Sequence, residues 1–156
     1  MEKRYGNRQR LYTCELTLTT PQSKQTITES IGFRHFEFIE NGPFQLNGER
    51  LLLRGTHRHE DHAGVGAAMT EEQMEAEMKL IKEMGVNFIR LGHYQQSDII
   101  LRLCDQLGIL VWEEIPWCRG GLGGEKYQAQ ARRMLTNMIT QHRNHPSVIL
   151  WGLGNE

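Results

Sequence analysis

The sequence has 156 residues, 18 Lys plus Arg against 19 Asp plus Glu, and 38% hydrophobic residues, the composition of an ordinary globular protein of one or two small domains. Disorder, collagen and coiled coil are excluded, and a net charge of -1 with interspersed signs gives no field that gathers nucleic acid or anionic lipid. The longest uncharged apolar stretch, residues 148–154, is well short of the roughly 20 residues of a membrane helix, so neither nucleic acid nor membrane is an expected partner.

The start Met1-Glu2-Lys3-Arg4 has no apolar run behind it, as a signal peptide requires. Cys14, Cys104 and Cys118 are odd in number and contain no CxxC, which fits buried thiols in a reducing compartment better than a disulfide framework. A cytoplasmic location is the resulting expectation. In chain order, residues 12–19 and 32–38 alternate apolar and polar as strands with one buried face do. Two strands with a polar loop between them cannot form a core alone, so this stretch reads as the tail of a β-sandwich. The period changes near residues 39–43, which places a boundary between 1–42 and 43–156. Asn47-Gly48 between apolar runs signals a tight hairpin, its second arm continuing as a strand to Thr56.

Thr70 with Gln73 three residues on is a capping-box pattern opening a helix striped by Met74, Met78 and Ile81. Residues 86–91 form the next strand. Ser97 caps a second helix carrying Ile100, Leu103, Cys104 and Leu107, stopped by Gly108, and residues 109–114 follow as a strand. Tyr127, Ala131, Met134 and Met138 mark a third helix ending before Pro146, and residues 148–153 are a fourth strand. Alternating strand and helix predicts an α/β fold with a parallel sheet. No GxGxxG or GxxxxGK[ST] follows the first strand, which favours the first half of a (β/α)8 TIM barrel over a nucleotide-binding open sheet.

Chemistry in such barrels gathers at the C-terminal strand ends, and all four ends are polar: His57-Arg58-His59-Glu60, Arg90-Leu91-Gly92-His93-Tyr94, Glu113-Glu114 and Asn155-Glu156. The rim makes Glu114 and Trp112 candidate substrate contacts, and Arg58 a supporting residue. His57 and His59 project to one side of a strand, and a His-x-His there also begins the ligand set of some metal hydrolases. His35, His142 and His145 read as surface or packing residues. Glycoside hydrolysis needs one carboxylic acid to protonate the leaving oxygen and a second carboxylate on the opposite face of the sugar. Glu156 suits one of these roles, and the Asn155 amide can donate to a sugar hydroxyl.

The run Arg143-Asn144-His145-Pro146-Ser147-Val148-Ile149-Leu150-Trp151-Gly152-Leu153-Gly154-Asn155-Glu156 resembles the acid/base signature of glycoside hydrolase family two. Asn87 to Tyr94, with Asp105 and Gly108-Ile109-Leu110-Val111-Trp112, resembles the family's other signature, and Gly32-Phe33-Arg34, Leu46-Asn47-Gly48 and Arg54-Gly55 resemble its sandwich-to-barrel junction. Nearly the whole chain is covered. The His-Arg-His-Glu run, His93-Tyr94-Gln95-Gln96-Ser97 and Val111-Trp112-Glu113-Glu114-Ile115-Pro116 look most like bacterial β-galactosidases.

The resemblance implies an immunoglobulin-like sandwich before the barrel and retaining hydrolysis of terminal β-galactosides. It implies Glu156 as acid/base, Asn155 as partner of the sugar 2-hydroxyl, His59 and His93 as sugar contacts, and Arg90 as neighbour of the nucleophile. That nucleophile is, in the family, a glutamate on a later strand, so residues 1–156 alone are expected to be inactive and to associate with the rest of the barrel or with copies of themselves. Leu91-Gly92 and Gln95 depart from the family's usual small residues and proline around His-Tyr. Ile115-Pro116-Trp117-Cys118 lacks the Glu-x-His with which some β-galactosidases hold magnesium, so no cofactor is expected. β-Glucuronidase and β-mannosidase relatives share the Asn-Glu ending. A metal-dependent hydrolase using His57 and His59 and a non-catalytic sugar-binding fragment are the readings from other classes.

Overall fold

The computed structural model describes residues 10–121 and 123–156; the expectation placed on residues 1–4 lies outside the described residues. Strand β1 (Leu11–Thr19) pairs antiparallel with β2 (Lys24–Gly32). Most of β2 reads as a loop in the sequence, because Ile27 and Ile31 are its only apolar side chains and the hairpin is wet on both faces, Leu16, Leu18 and Ile27 being exposed. Its turn is built by Thr20, whose Oγ1 accepts from the backbone N–H groups of Gln22 (3.3 Å) and Ser23 (3.0 Å).

The strand expected over residues 32–38 is divided. Beyond β2 the Arg34 guanidinium leaves the hairpin and donates to the Val148 carbonyl at 2.6 Å, and pairing resumes at β3 (Phe36–Phe38) against β4 (Phe44–Leu46), which in turn pairs with β5 (Glu49–Arg50). Asn47 and Gly48 join β4 to β5 at φ 53° and 81°, the left-handed conformations that such a two-residue loop requires. Residues 51–54 do not continue as a strand. The Asn87 side chain takes over their pairing, Oδ1 accepting from Arg54 N–H (2.7 Å) and Nδ2 donating to the Leu52 carbonyl (2.9 Å).

From there strand and helix alternate: β6 (Gly55–Arg58), α1 (Glu71–Glu83), β7 (Phe88–Leu91), α2 (Asp98–Leu107), β8 (Leu110–Glu114), α3 (Glu125–His142) and β9 (Val148–Gly152). The sheet order is β6-β7-β8-β9 with every pair parallel, the arrangement of consecutive strands in a TIM barrel. Thr70 and Gln73 form the capping box of α1, Ser97 caps α2, and Gly108 ends α2 at φ 66°. Ile89, Leu91, Val111 and Val148 of the strands bury against Met74 and Met78 of α1 and Ile100, Leu101 and Cys104 of α2. Each such side chain contributes about 1.5 to 3 kcal/mol by leaving water. Ala131 and Met138 of α3 pack on Ile115 and Trp151. Of the three thiols only Cys104 is fully buried; Cys118 is exposed and Cys14 intermediate, so the expectation of buried thiols holds for one. Among the described residues no helix is long and apolar enough to cross a membrane.

Gly152 at the end of β9 is a packing requirement. A Cβ there would lie 2.3 Å from Glu114 Cβ and 2.4 Å from Trp112 Nε1, so β8 and β9 come together only over a bare backbone. Gly152→Ala should therefore destabilise by about 1 to 3 kcal/mol through overpacking. A urea midpoint equal to that of the parent protein would show that β8 shifts freely.

Candidate active site

Side chains on a strand alternate between two faces, and the sheet uses this to separate structural charges from those at the open end. Arg58 points to the helix side. It is buried, its Nη2 lies 2.9 Å from Glu77 Oε2 on α1 and 3.4 Å from Met69 Sδ, and its carbonyl accepts from Gln96 Nε2 at 2.8 Å. Arg58, expected to support the site, thus ties β6 to α1. Glu113 points the same way: fully buried, it receives a hydrogen bond at 2.8 Å from His142 Nδ1 on α3. Gln95 Nε2 stands 3.2 Å from the other ring nitrogen, His142 Nε2. With an amide donor there, the His142 proton is assigned to Nδ1.

A third helix-side junction explains why Asp105 and His145 belong together. Asp105 Oδ2 is 2.6 Å from His145 Nδ1 and Oδ1 accepts from Ser147 N–H at 3.0 Å, fixing the loop before β9 to α2. Burial pulls the His145 pKa down, but the hydrogen bond and charge of Asp105, with Asp98, outweigh it and hold the imidazole above its ordinary value. The sign follows: a base whose pKa rises on folding gives stability that is full below its unfolded value, near 6.5, and is lost as pH climbs through the folded value. Asp105→Asn should cost on the order of 1 to 3 kcal/mol, more at about pH 5.5 than at about pH 8. Denaturant unfolding at the two pH values measures this, and a loss that grows with pH would contradict the assignment.

The opposite face of the sheet carries the candidate site. Arg90 of β7 and Glu114 of β8 form a bidentate pair, Arg90 Nε and Nη2 donating to Glu114 Oε2 at 3.1 and 2.9 Å and Nη2 also to Oε1 at 3.1 Å. Glu114 is 0% exposed. Its Oε1 is also hydrogen-bonded to His93 Nδ1. Arg90 lies over the Trp112 ring, 4.7 Å from its centroid, and donates to Asn155 Oδ1 at 2.9 Å. Glu114, Trp112, Arg90, His93 and Asn155 are thereby one connected group. Glu114 and Trp112, expected as substrate contacts, are engaged in holding Arg90.

His57 and His59 stand beside this group, with ring centroids 4.8 and 5.3 Å from that of His93 and 4.7 Å from each other. Partial desolvation, then the charges of His59, His93 and Arg90, lower the His57 pKa. It is accordingly neutral at neutral pH. The loop after β6 is held by Glu60, whose backbone N–H donates to the Tyr94 hydroxyl (2.8 Å) and whose Oε2 accepts from Ser97 N–H (3.0 Å).

The segment after β9 returns to the segment after β8: Asn155 N–H donates to the Trp117 carbonyl at 2.7 Å, and Arg119 N–H to the Asn155 carbonyl at 3.2 Å. This carries Asn155 to Arg90 and leaves Glu156 beside Arg119, whose Nε donates to Glu156 Oε2 at 2.6 Å. Both partners are exposed, and an ion pair of that kind holds its members only weakly. Arg119 belongs to no motif in the sequence, because nothing local distinguishes a loop that another loop will cover. A cavity of about 490 Å³ lies elsewhere, among Leu11, Arg34, Asp105, Leu110 and Ser147. It adjoins the N-terminal ends of β8 and β9, away from the polar rim.

The described geometry has counterparts among known proteins. The family model for the TIM barrel domain of glycosyl hydrolases family 2 matches residues 38–156. The apo structure of Bacteroides uniformis β-glucuronidase 3 superposes with a TM-score of 0.89 at 77% identity, covering 94% of this chain and 19% of that one. A Formosa agariphila protein provisionally named a β-glucuronidase is 53% identical over 147 residues, 94% of this chain and 18% of its own length. A Thermoanaerobacter pseudethanolicus β-galactosidase is 39% identical over 127 residues, 81% of this chain and 17% of its own length. The chain spans about a fifth of the length of the curated relatives it matches.

Proposed function

The chain belongs to glycosyl hydrolase family 2, whose TIM barrel domain it matches over residues 38–156, and on that premise we propose that it forms part of a retaining exo-β-glucuronidase. The observation that carries the sugar assignment is the 77% identity, over 94% of the chain, to a protein named a β-glucuronidase. The β-galactoside read from the rim motifs is the second reading, supported by the 39% identity to a β-galactosidase. The motifs behind it serve hydroxyls that both sugars carry.

In this mechanism Glu156 protonates the leaving oxygen, and a second carboxylate, supplied by a strand outside these residues, attacks the anomeric carbon to form a glycosyl ester. Glu156 then takes a proton from water as the ester is hydrolysed. Asn155 contributes an amide whose orientation is set by Arg90 and Cys118: Oδ1 accepts from the guanidinium, Nδ2 donates one hydrogen to Cys118 Sγ at 3.5 Å, and its other hydrogen is left for a sugar hydroxyl. His93, its Nδ1 engaged by Glu114, presents Nε2, and His59 stands beside it. Hydrogen bonds from such groups accelerate the reaction to the extent that they tighten in the transition state. The test is kcat/KM of the full-length protein on 4-nitrophenyl β-glucuronide and β-galactoside. A preference of at least 100-fold for the glucuronide is expected, and equal or inverted values would sink the glucuronide assignment.

A further inference from the structure

We propose that His57, His59 and His93 bind one divalent transition ion of the zinc class, and that the bound ion excludes sugar from the same strand ends. The exclusion half rests on the glycosidase reading; the binding half does not. Among the described residues these three form the one group of His, Cys, Asp or Glu whose potential ligand atoms all lie within 4.8 Å of one another. A tetrahedral ion with nitrogen ligands at about 2.0 to 2.1 Å holds them roughly 3.3 Å apart, so the rings need only rotate inward. His57 and His59 are exposed and free to do so.

Three further observations favour a metal over mere proximity. The Glu114 carboxylate at His93 Nδ1 fixes the ring and leaves Nε2 outward, the arrangement that carboxylates give to metal-binding imidazoles. The bare Cα of Gly92 lets Glu114 and His57 approach from two sides, since a Cβ there would lie 2.7 Å from His57 Nε2 and 2.9 Å from Glu114 Oε1. The opposing charge of Arg90 is taken up by its bidentate bonds to Glu114. Three imidazole nitrogens select Zn2+, Ni2+ or Cu2+ over Mg2+, which requires oxygen ligands. They also leave a fourth position for water. An ion here consumes His59 and His93, so metal and sugar compete for the same nitrogens.

The experiment is calorimetric titration of the full-length protein, first stripped with chelator and dialysed, using ZnCl2 and, as a control, MgCl2. One Zn2+ per chain and no Mg2+ is the expected result. Affinity should fall at least tenfold in His57→Ala and in His59→Ala and stay unchanged in His35→Ala, a histidine remote from the cluster. Titration with Co2+ should give the visible d–d bands of a four-coordinate nitrogen site, lost in the same two variants. Absence of Zn2+ binding, or binding that both variants retain, overturns the site. Zn2+ should also raise KM for the nitrophenyl glycoside with kcat preserved, and EDTA should reverse it. Binding without such competition overturns the exclusion half. Failure of the chelator-treated protein to cleave any glycoside would count against the glycosidase reading alone, because the calorimetry does not depend on turnover.

Discussion

Glu156→Gln in the full-length protein is expected to slow hydrolysis of glycosides with poor leaving groups on the order of 10²- to 10⁴-fold, the usual worth of a positioned general acid. A leaving group such as nitrophenolate needs little protonation, so its glycosyl intermediate should still form while the later attack by water, now without a base, becomes slow. Added azide should then restore turnover. It is a small anionic nucleophile that requires no base and reaches the anomeric carbon from the side the carboxylate vacates, giving a β-glycosyl azide. Steady-state rates on a nitrophenyl and an alkyl glycoside, with and without azide, decide the matter. Equal losses on both substrates with no azide effect would remove Glu156 from the acid/base role. The exposed pair with Arg119 does not stand in the way, since a guanidinium on a loop is easily displaced by substrate.

Arg90→Ala should produce the largest loss of stability of any single change at the rim. Glu114 is fully buried and Arg90 is the cation that compensates it. Removing one partner of a buried pair costs about 3 to 5 kcal/mol, because the other remains charged and out of water. The same change frees the Asn155 amide and uncovers the Trp112 ring, so activity should fall with stability. The double variant Arg90→Ala with Glu114→Gln separates the two effects. It should recover much of the folding free energy, since no uncompensated charge is left, without recovering kcat/KM. Urea unfolding and steady-state kinetics on the parent, both singles and the double give the coupling. A single variant as stable as the parent would mean that Glu114 finds water or another donor.

What could be read in the sequence was what is decided locally. Thr70 with Gln73, Ser97, Gly108 and Asn47-Gly48 act through bonds and dihedral angles spanning a few residues, and each stands where its chemistry predicts. The polar C-terminal strand ends were equally legible, because strand alternation with helices fixes which end is open. The sequence misses β2 because a hairpin wet on both faces shows no apolar period. The strand predicted through residues 51–54 fails because Asn87, more than thirty positions away, satisfies that backbone instead. The roles within Glu113-Glu114 were also hidden. Two identical neighbours give no hint that one meets His142 of α3 and the other Arg90 of β7. The sugar was least legible, since amides and imidazoles that recognise hydroxyls do not distinguish sugars that share them.

The back-to-back carboxylates of β8 also make the barrel intolerant of misthreading as it assembles. Were the chain to slide one residue forward, Glu113 would take the place beside Arg90 and Trp112 the place beside His142, while Glu114 would move into the apolar position of Ile115, which is buried. Sliding one residue backward would set Glu114 against His142 and bring Ile115 to face Arg90, leaving that guanidinium without its anion. Either error strands a charge or a donor away from water, at a cost of several kcal/mol. An all-aliphatic β8 would meet no such penalty, since Val, Ile and Leu replace one another along a strand with little loss. Two adjacent glutamates thus act as an alignment key, and the native threading is the one in which both find their hydrogen-bond donors at once.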